Sequence, residues 1–114
     1  MLTIDTLRDF GADVDTGLGR CMNNEAFYLR LVKLALADGN FDKLAANLAA
    51  GDLQGAFESA HALKGALGNL ALSPLFDPAS ELTELLRSRT EGDYAALADR
   101  IAEQRARLAE LAAE

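Results

Sequence analysis

The sequence predicts an all-α protein, because its composition and its apolar spacing both favour helices. Ala and Leu make up more than a third of the 114 residues, whereas Val, Ile and Thr together number only nine. Ala and Leu lead the helix propensity scale, and strands draw on the β-branched residues that are scarce here. We expect an antiparallel four-helix bundle preceded by one or two short amino-terminal helices.

The short helices come first. The segment 3–10 ends at Gly11, and the segment 13–21 carries apolar residues at helical spacing but contains Gly17 and Gly19. Each glycine inside a helix costs about 1 kcal/mol relative to Ala. We therefore expect the second helix to be weak.

The next two helices follow capping residues. Asn24 is a good N-cap for a helix over 25–37, which is so rich in apolar residues that we expect it to be covered on most sides. Asn40 is the expected cap of a helix over 41–50.

The segment 53–70, capped by Asp52, has the clearest helical pattern. Its apolar residues fall within a sector of about 140° at 100° per residue, which predicts a stripe that faces the core: Leu53, Ala56, Phe57, Ala60, Leu63, Leu67 and Leu70. We also expect the aromatic residues Phe27, Tyr28 and Phe57 to belong to the core.

Two pairs, 73–74 and 77–78, each place a capping side chain before a proline. They predict a short turn at 74–76 and a separate helix over 78–89. A loop at 90–92 and the cap Asp93 then precede a final helix over 94–113. We expect one domain over 1–114, with the short helices in 1–22 and the bundle in 24–113.

Composition argues against several classes of function. The formal charge of −7 and the lack of Lys/Arg clusters argue against a nucleic-acid interface. The longest apolar run contains two basic residues and is too short to span a bilayer, and the first ten residues do not resemble a signal peptide. A single Cys cannot form a disulfide within the chain, and one His with one Cys cannot form a zinc site unless carboxylates complete it. We expect a cytoplasmic monomer without a metal or cofactor of its own.

The single histidine, His61, lies beside the core stripe of its helix. Lys64, Gly65 and Gly68, at plus 3, plus 4 and plus 7, share its side. The two glycines together cost about 2 kcal/mol relative to Ala. Either another molecule approaches the backbone there, or two helices pack closely within the bundle. Spacing leaves both open for Gly68 and favours the approach of a partner at Gly65.

A lone surface histidine usually has no function, but Lys64 gives His61 a chemical context. A cation one turn away favours a neutral, nucleophilic imidazole and would pair with a phosphoryl group attached to it. Glu58, three residues before His61, has the reach to accept a hydrogen bond from the ring, although a solvated carboxylate explains it better.

The segment 60–70, AHALKGALGNL, closely resembles the signature of histidine-containing phosphotransfer (HPt) domains. That pattern has Lys and Gly three and four residues after its histidine and ends near a Gly ten residues after it. Ala71 stands at that last position here, which bears on the turn after the helix. The resemblance extends over about 11–111 and is that of a free-standing HPt domain.

The resemblance implies a phosphorelay carrier of the two-component signalling type, without kinase activity of its own. His61 Nε2 would accept a phosphoryl group from the aspartyl phosphate of a response-regulator receiver domain, and Lys64 would be its electrostatic partner. The receiver would supply Mg²⁺. Ala62, Gly65, Gly68 and Asn69 are the expected docking positions, and a hybrid sensor histidine kinase is a further partner that the family allows.

Two other classes of function remain as alternatives. One is a helical interaction module that binds a receiver or another helix pair without carrying phosphate. The other is a metal-dependent enzyme, which needs clustered carboxylates and histidines. Only Glu81 and Glu84 come close to such a cluster, and a solvated helix face explains them.

Overall fold

The computed structural model describes residues 1–89 and 92–113, and these form helices joined by short turns without any strand. The helices are α1 (Ile4–Phe10), α2 (Val14–Arg20), α3 (Glu25–Leu36), α4 (Asn40–Ala49), α5 (Leu53–Asn69), α6 (Ser73–Ser88) and α7 (Tyr94–Ala113). Helices α4 to α7 contact one another in a closed ring, in the order α4, α5, α6, α7 and back to α4. The predicted all-α bundle is confirmed. The helix predicted over 25–37 is α3, which precedes the ring formed by α4 to α7.

Most helix starts follow the expected caps. Side-chain oxygens of the predicted caps Asn24, Asp52 and Asp93 accept hydrogen bonds from backbone N–H groups three residues ahead. Asp13, which was not predicted as a cap, does the same for α2. Asn40 was wrongly predicted as a cap, because it is the first residue of α4 and follows Gly39. The carboxylate of Asp38 instead accepts the backbone N–H of Asn40 at 2.8 Å, which draws this residue into the helix.

Helix α6 corrects a second expectation. The sequence predicted a turn at 74–76 and a separate helix over 78–89, but one helix runs through Pro78. Pro78 is only the sixth residue of the helix, so its missing N–H removes a single backbone bond, to the carbonyl four residues earlier. The proline ring is buried, and this packing offsets the loss. In the predicted loop that follows, Thr90 and Glu91 lie outside the described residues.

The core contains Leu63, Leu67 and Leu70 of the predicted stripe, together with Tyr28 and the free thiol Cys21. Leu53, at the start of the stripe, is only partly buried. Phe57 is partly buried at its edge. The expectation for Phe27 was wrong, since it is 40% exposed, and Leu34 is 60% exposed. Helix α3 buries only one stripe, Tyr28, Val32 and Ala35, and is not covered on most sides. Within the described residues, no helix is long and apolar enough to cross a membrane.

Candidate functional site

A groove of about 440 Å³ runs along the exposed side of α5. Its lining contains His61, Lys64, Gly65, Gly68 and Asn69, together with two residues from other helices, Arg20 and Phe76. The structure therefore brings together all four positions that helical spacing placed on one flank, together with the expected docking position Asn69. Ala62 is exposed on α5 beside the histidine but does not line the groove.

The imidazole of His61 is exposed and rests against an aromatic ring. It stacks on Phe57, one turn earlier, with 5.8 Å between the ring centroids and 13° between the planes. Within the described residues no hydrogen bond holds the imidazole. Glu58 does not bind it, because its carboxylate is exposed and accepts a hydrogen bond from Gln54 at 3.2 Å. The imidazole is thus oriented by stacking and remains accessible.

Lys64 extends from α5 toward α6. Its Nζ lies 3.5 Å from Oε1 of Glu84, and its side chain is only 29% exposed. The other carboxylate oxygen of Glu84 lies 3.4 Å from Nε of Arg87. The guanidinium of Arg87 in turn lies 5.1 Å from the ring centroid of Phe57, the ring on which the imidazole of His61 stacks. A small charged network therefore borders the histidine on its α6 side.

The two glycines of the groove have different roles. A β-carbon built on Gly65 would have no atom within 4 Å, so nothing in the described structure requires its absence. A β-carbon on Gly68 would lie 2.8 Å from the ring of Phe76, which is a severe overlap. Close packing therefore explains Gly68. Gly65 is exposed, and the space above it is open among the described residues.

Helix α5 ends in a Schellman turn. The N–H of Ala71 donates to Gly68 O, and the N–H of Leu72 donates to Leu67 O, both at 3.0 Å. Ala71 adopts the left-handed conformation with φ of 57°, which favours glycine. Glycine, which the Hpt pattern has near this position, adopts this conformation without strain. The turn forms here with Ala, so the departure affects its strain and not its shape.

The carbonyls at the end of α5 are bound by residues from the amino-terminal helices. Arg20 donates from its guanidinium to Gly68 O and Asn69 O, and Asp13 donates its backbone N–H to Ala71 O at 2.9 Å. The buried hydroxyl of Tyr28 donates to Leu70 O at 2.8 Å. Burial raises the pKa of Tyr28 to about 12, so this hydroxyl keeps its proton and remains a donor.

Arg20 and Phe76 are the groove residues that the sequence did not identify. Arg20 is the charged one of the two. Its contacts join positions nearly fifty residues apart in the chain. Local spacing shows only a basic residue in the last turn of a short helix, where a cation commonly interacts with its own helix end. No sequence signal connected it with the groove.

A family model matches most of the chain. The family model described as "Hpt domain" matches residues 32–114, which is well over half of the chain. No curated protein and no solved structure matched. Among the described residues, no group of three or more His, Cys, Asp or Glu side chains is placed to hold a metal ion. Together with the histidine motif on α5, the match shows that the chain belongs to the Hpt domain family of histidine phosphotransfer carriers, which interact with response-regulator receivers in phosphorelays.

Proposed function

We propose that His61 accepts a phosphoryl group from the aspartyl phosphate of one receiver domain and passes it to another. The observation that carries this proposal is that a histidine carrier of this family needs an accessible histidine, and His61 is the only one in the sequence. It is exposed near the middle of α5 and lines a groove with Lys64.

The transfer step forms one bond and breaks one. The lone pair of His61 Nε2 forms the N–P bond while the O–P bond of the aspartyl phosphate breaks, and the electron pair returns to the receiver carboxylate. The reverse step loads the next receiver. Such transfer depends mainly on in-line positioning and on neutralising charge around the phosphoryl oxygens. In this proposal the receiver supplies the aspartate and Mg²⁺, and this chain supplies the nucleophile and Lys64.

The shape of the groove supports docking of a folded partner. Gly65 leaves open space one turn from the imidazole, and Ala62 and Asn69 are small or short exposed residues on the same helix. Small side chains allow a receiver to bring its aspartyl phosphate close to the backbone of α5. The chain carries 18 acidic residues, but the groove is lined by two basic ones, Lys64 and Arg20. The groove therefore presents positive charge on an acidic protein.

The direct test mixes the chain with phosphorylated receiver domains from the same genome and follows the phosphoryl group. We expect a label on the chain that is labile in acid and stable in base, as a phosphoramidate is. His61→Gln should abolish the label, with an unfolding midpoint close to that of the wild-type chain because the side chain is exposed. ATP alone, without a kinase, should give no label.

Lys64→Ala should slow transfer without abolishing it, since the nucleophile remains. A label that persists in His61→Gln at neutral pH would overturn the assignment. A chain that binds a receiver but never acquires a label would instead be a helical interaction module.

A further inference from the structure

Glu84 lies between two cations beside the proposed phosphorylation site. Its two carboxylate oxygens lie 3.5 Å from Lys64 Nζ and 3.4 Å from Arg87 Nε. The side chain of Glu84 is 56% exposed, so the pairs are accessible to water and are readily exchanged. Lys64 is thus already paired with an internal carboxylate before any phosphoryl group arrives.

A phosphoryl group on His61 would compete with Glu84 for the same ammonium group. It carries a charge of about −1.5 to −2 near neutral pH, more than one carboxylate. On a helix, residues three apart have β-carbons about 5–6 Å from each other, which places Lys64 within reach of the phosphoryl oxygens. To pair with them, Lys64 must leave Glu84.

We propose that Glu84 is a positioning residue that competes with the phosphoryl group on His61 for Lys64. By holding Lys64 on α6 in the unphosphorylated chain, it lowers the fraction of the chain that is phosphorylated when transfer from a receiver reaches equilibrium. The inference rests on the proposed function, since it assumes that His61 is the acceptor. Arg87 is part of the same charged network, because it pairs with Glu84 and lies against Phe57, on which the imidazole stacks.

The test compares Glu84→Gln with Glu81→Gln. Both substitutions lie on α6, remove one negative charge and keep the size of the side chain. Glu81 is similarly exposed, at 62%, and is 4.0 Å from Arg100 rather than beside the groove. Any effect of the net charge on the encounter with a receiver is therefore matched.

The measured quantity is the equilibrium constant for transfer between the receiver and the chain, approached from both directions at protein concentrations too low for the complex to accumulate. Under these conditions the constant does not depend on how tightly the two proteins dock. Exposed ion pairs shift equilibria by about 1.5- to 5-fold. We expect Glu84→Gln to shift the constant toward the phosphorylated chain by that factor, and Glu81→Gln to leave it unchanged.

A second background tests whether Glu84 acts through Lys64. In a Lys64→Met chain the effect of Glu84→Gln should shrink toward unity. An undiminished effect would indicate direct repulsion and overturn the competition, and so would equal constants for Glu84→Gln and Glu81→Gln. Failure of the wild-type chain to acquire any label on His61 would be a different result, because it contradicts the proposed function itself.

Discussion

Substitutions at Gly65 can separate effects on stability from effects on docking, because nothing in the described structure requires a glycine there. A β-carbon there would meet no atom within 4 Å, whereas glycine in a helix interior is less favourable than Ala by about 1 kcal/mol. Gly65→Ala should therefore stabilise the fold by about that amount. With an unfolding entropy of about 2.1 cal/mol/K per residue, a chain of this length gains about 4 °C in melting temperature.

The same position should respond in the opposite direction in transfer. Gly65→Gln retains most of the gain in helix propensity but fills the space above α5 with a flexible side chain. If a receiver occupies that space, the Gln side chain must move aside for it to dock. We expect this to slow transfer about tenfold or more. The assays are thermal unfolding by circular dichroism and the rate of label transfer from a phosphorylated receiver.

Gly68→Ala is the matched control, since its β-carbon would overlap the ring of Phe76. It should destabilise the fold, where Gly65→Ala stabilises it. A loss of stability in Gly65→Ala would show that the helix end is packed more tightly than the distances indicate. A stabilised Gly65→Gln chain that transfers at the wild-type rate would refute the docking position.

Two further glycine effects follow from the backbone, and both are measured by chemical or thermal unfolding. Gly17→Ala should destabilise the fold by roughly 1–3 kcal/mol, because its β-carbon would lie 2.5 Å from the buried hydroxyl of Tyr28. Gly19→Ala is its control: its β-carbon would meet no atom within 4 Å, so the substitution should be neutral or stabilising. Equal effects of the two would contradict the packing of α2 on α3. Ala71→Gly should stabilise the fold by about 0.5–1 kcal/mol, since it relieves a left-handed Ala at some cost in unfolded-state entropy, and a destabilised variant would show that the Ala side chain contributes more than its backbone strain.

The sequence was sufficient to place the histidine and its flank. His61, Lys64, Gly65 and Gly68 share one helix, so their relative directions depend only on the helical repeat. The same repeat identified the buried leucines of α5. Features that depend on a single regular element were therefore predictable.

Features that join distant elements were not. Glu84 was interpreted as part of a solvated face, and it is exposed, but its pairing with Lys64 depends on the register of α6 against α5. Proline position was likewise a poor guide, because the cost of Pro78 depends on burial that the pattern did not reveal. Arg20 reaches the groove only after α2 has packed on the end of α5. Tertiary register, and not propensity, decided each of these.

A carrier must release the group that it accepts, and the electrostatics around His61 suit that requirement. A buried cation cluster would hold a phosphoryl anion strongly and leave the chain loaded. Here the imidazole is exposed, and Lys64 already has an exposed carboxylate partner in Glu84. A new pair between Lys64 and a phosphoryl group would therefore form at the expense of the pair between Lys64 and Glu84. Exposed ion pairs shift an equilibrium only a few-fold, so their exchange leaves the equilibrium constant for transfer changed by no more than that factor. Under the proposed function, Glu84 is thus as relevant to the relay as Lys64, because reversible exchange between two receivers depends on neither state being strongly preferred.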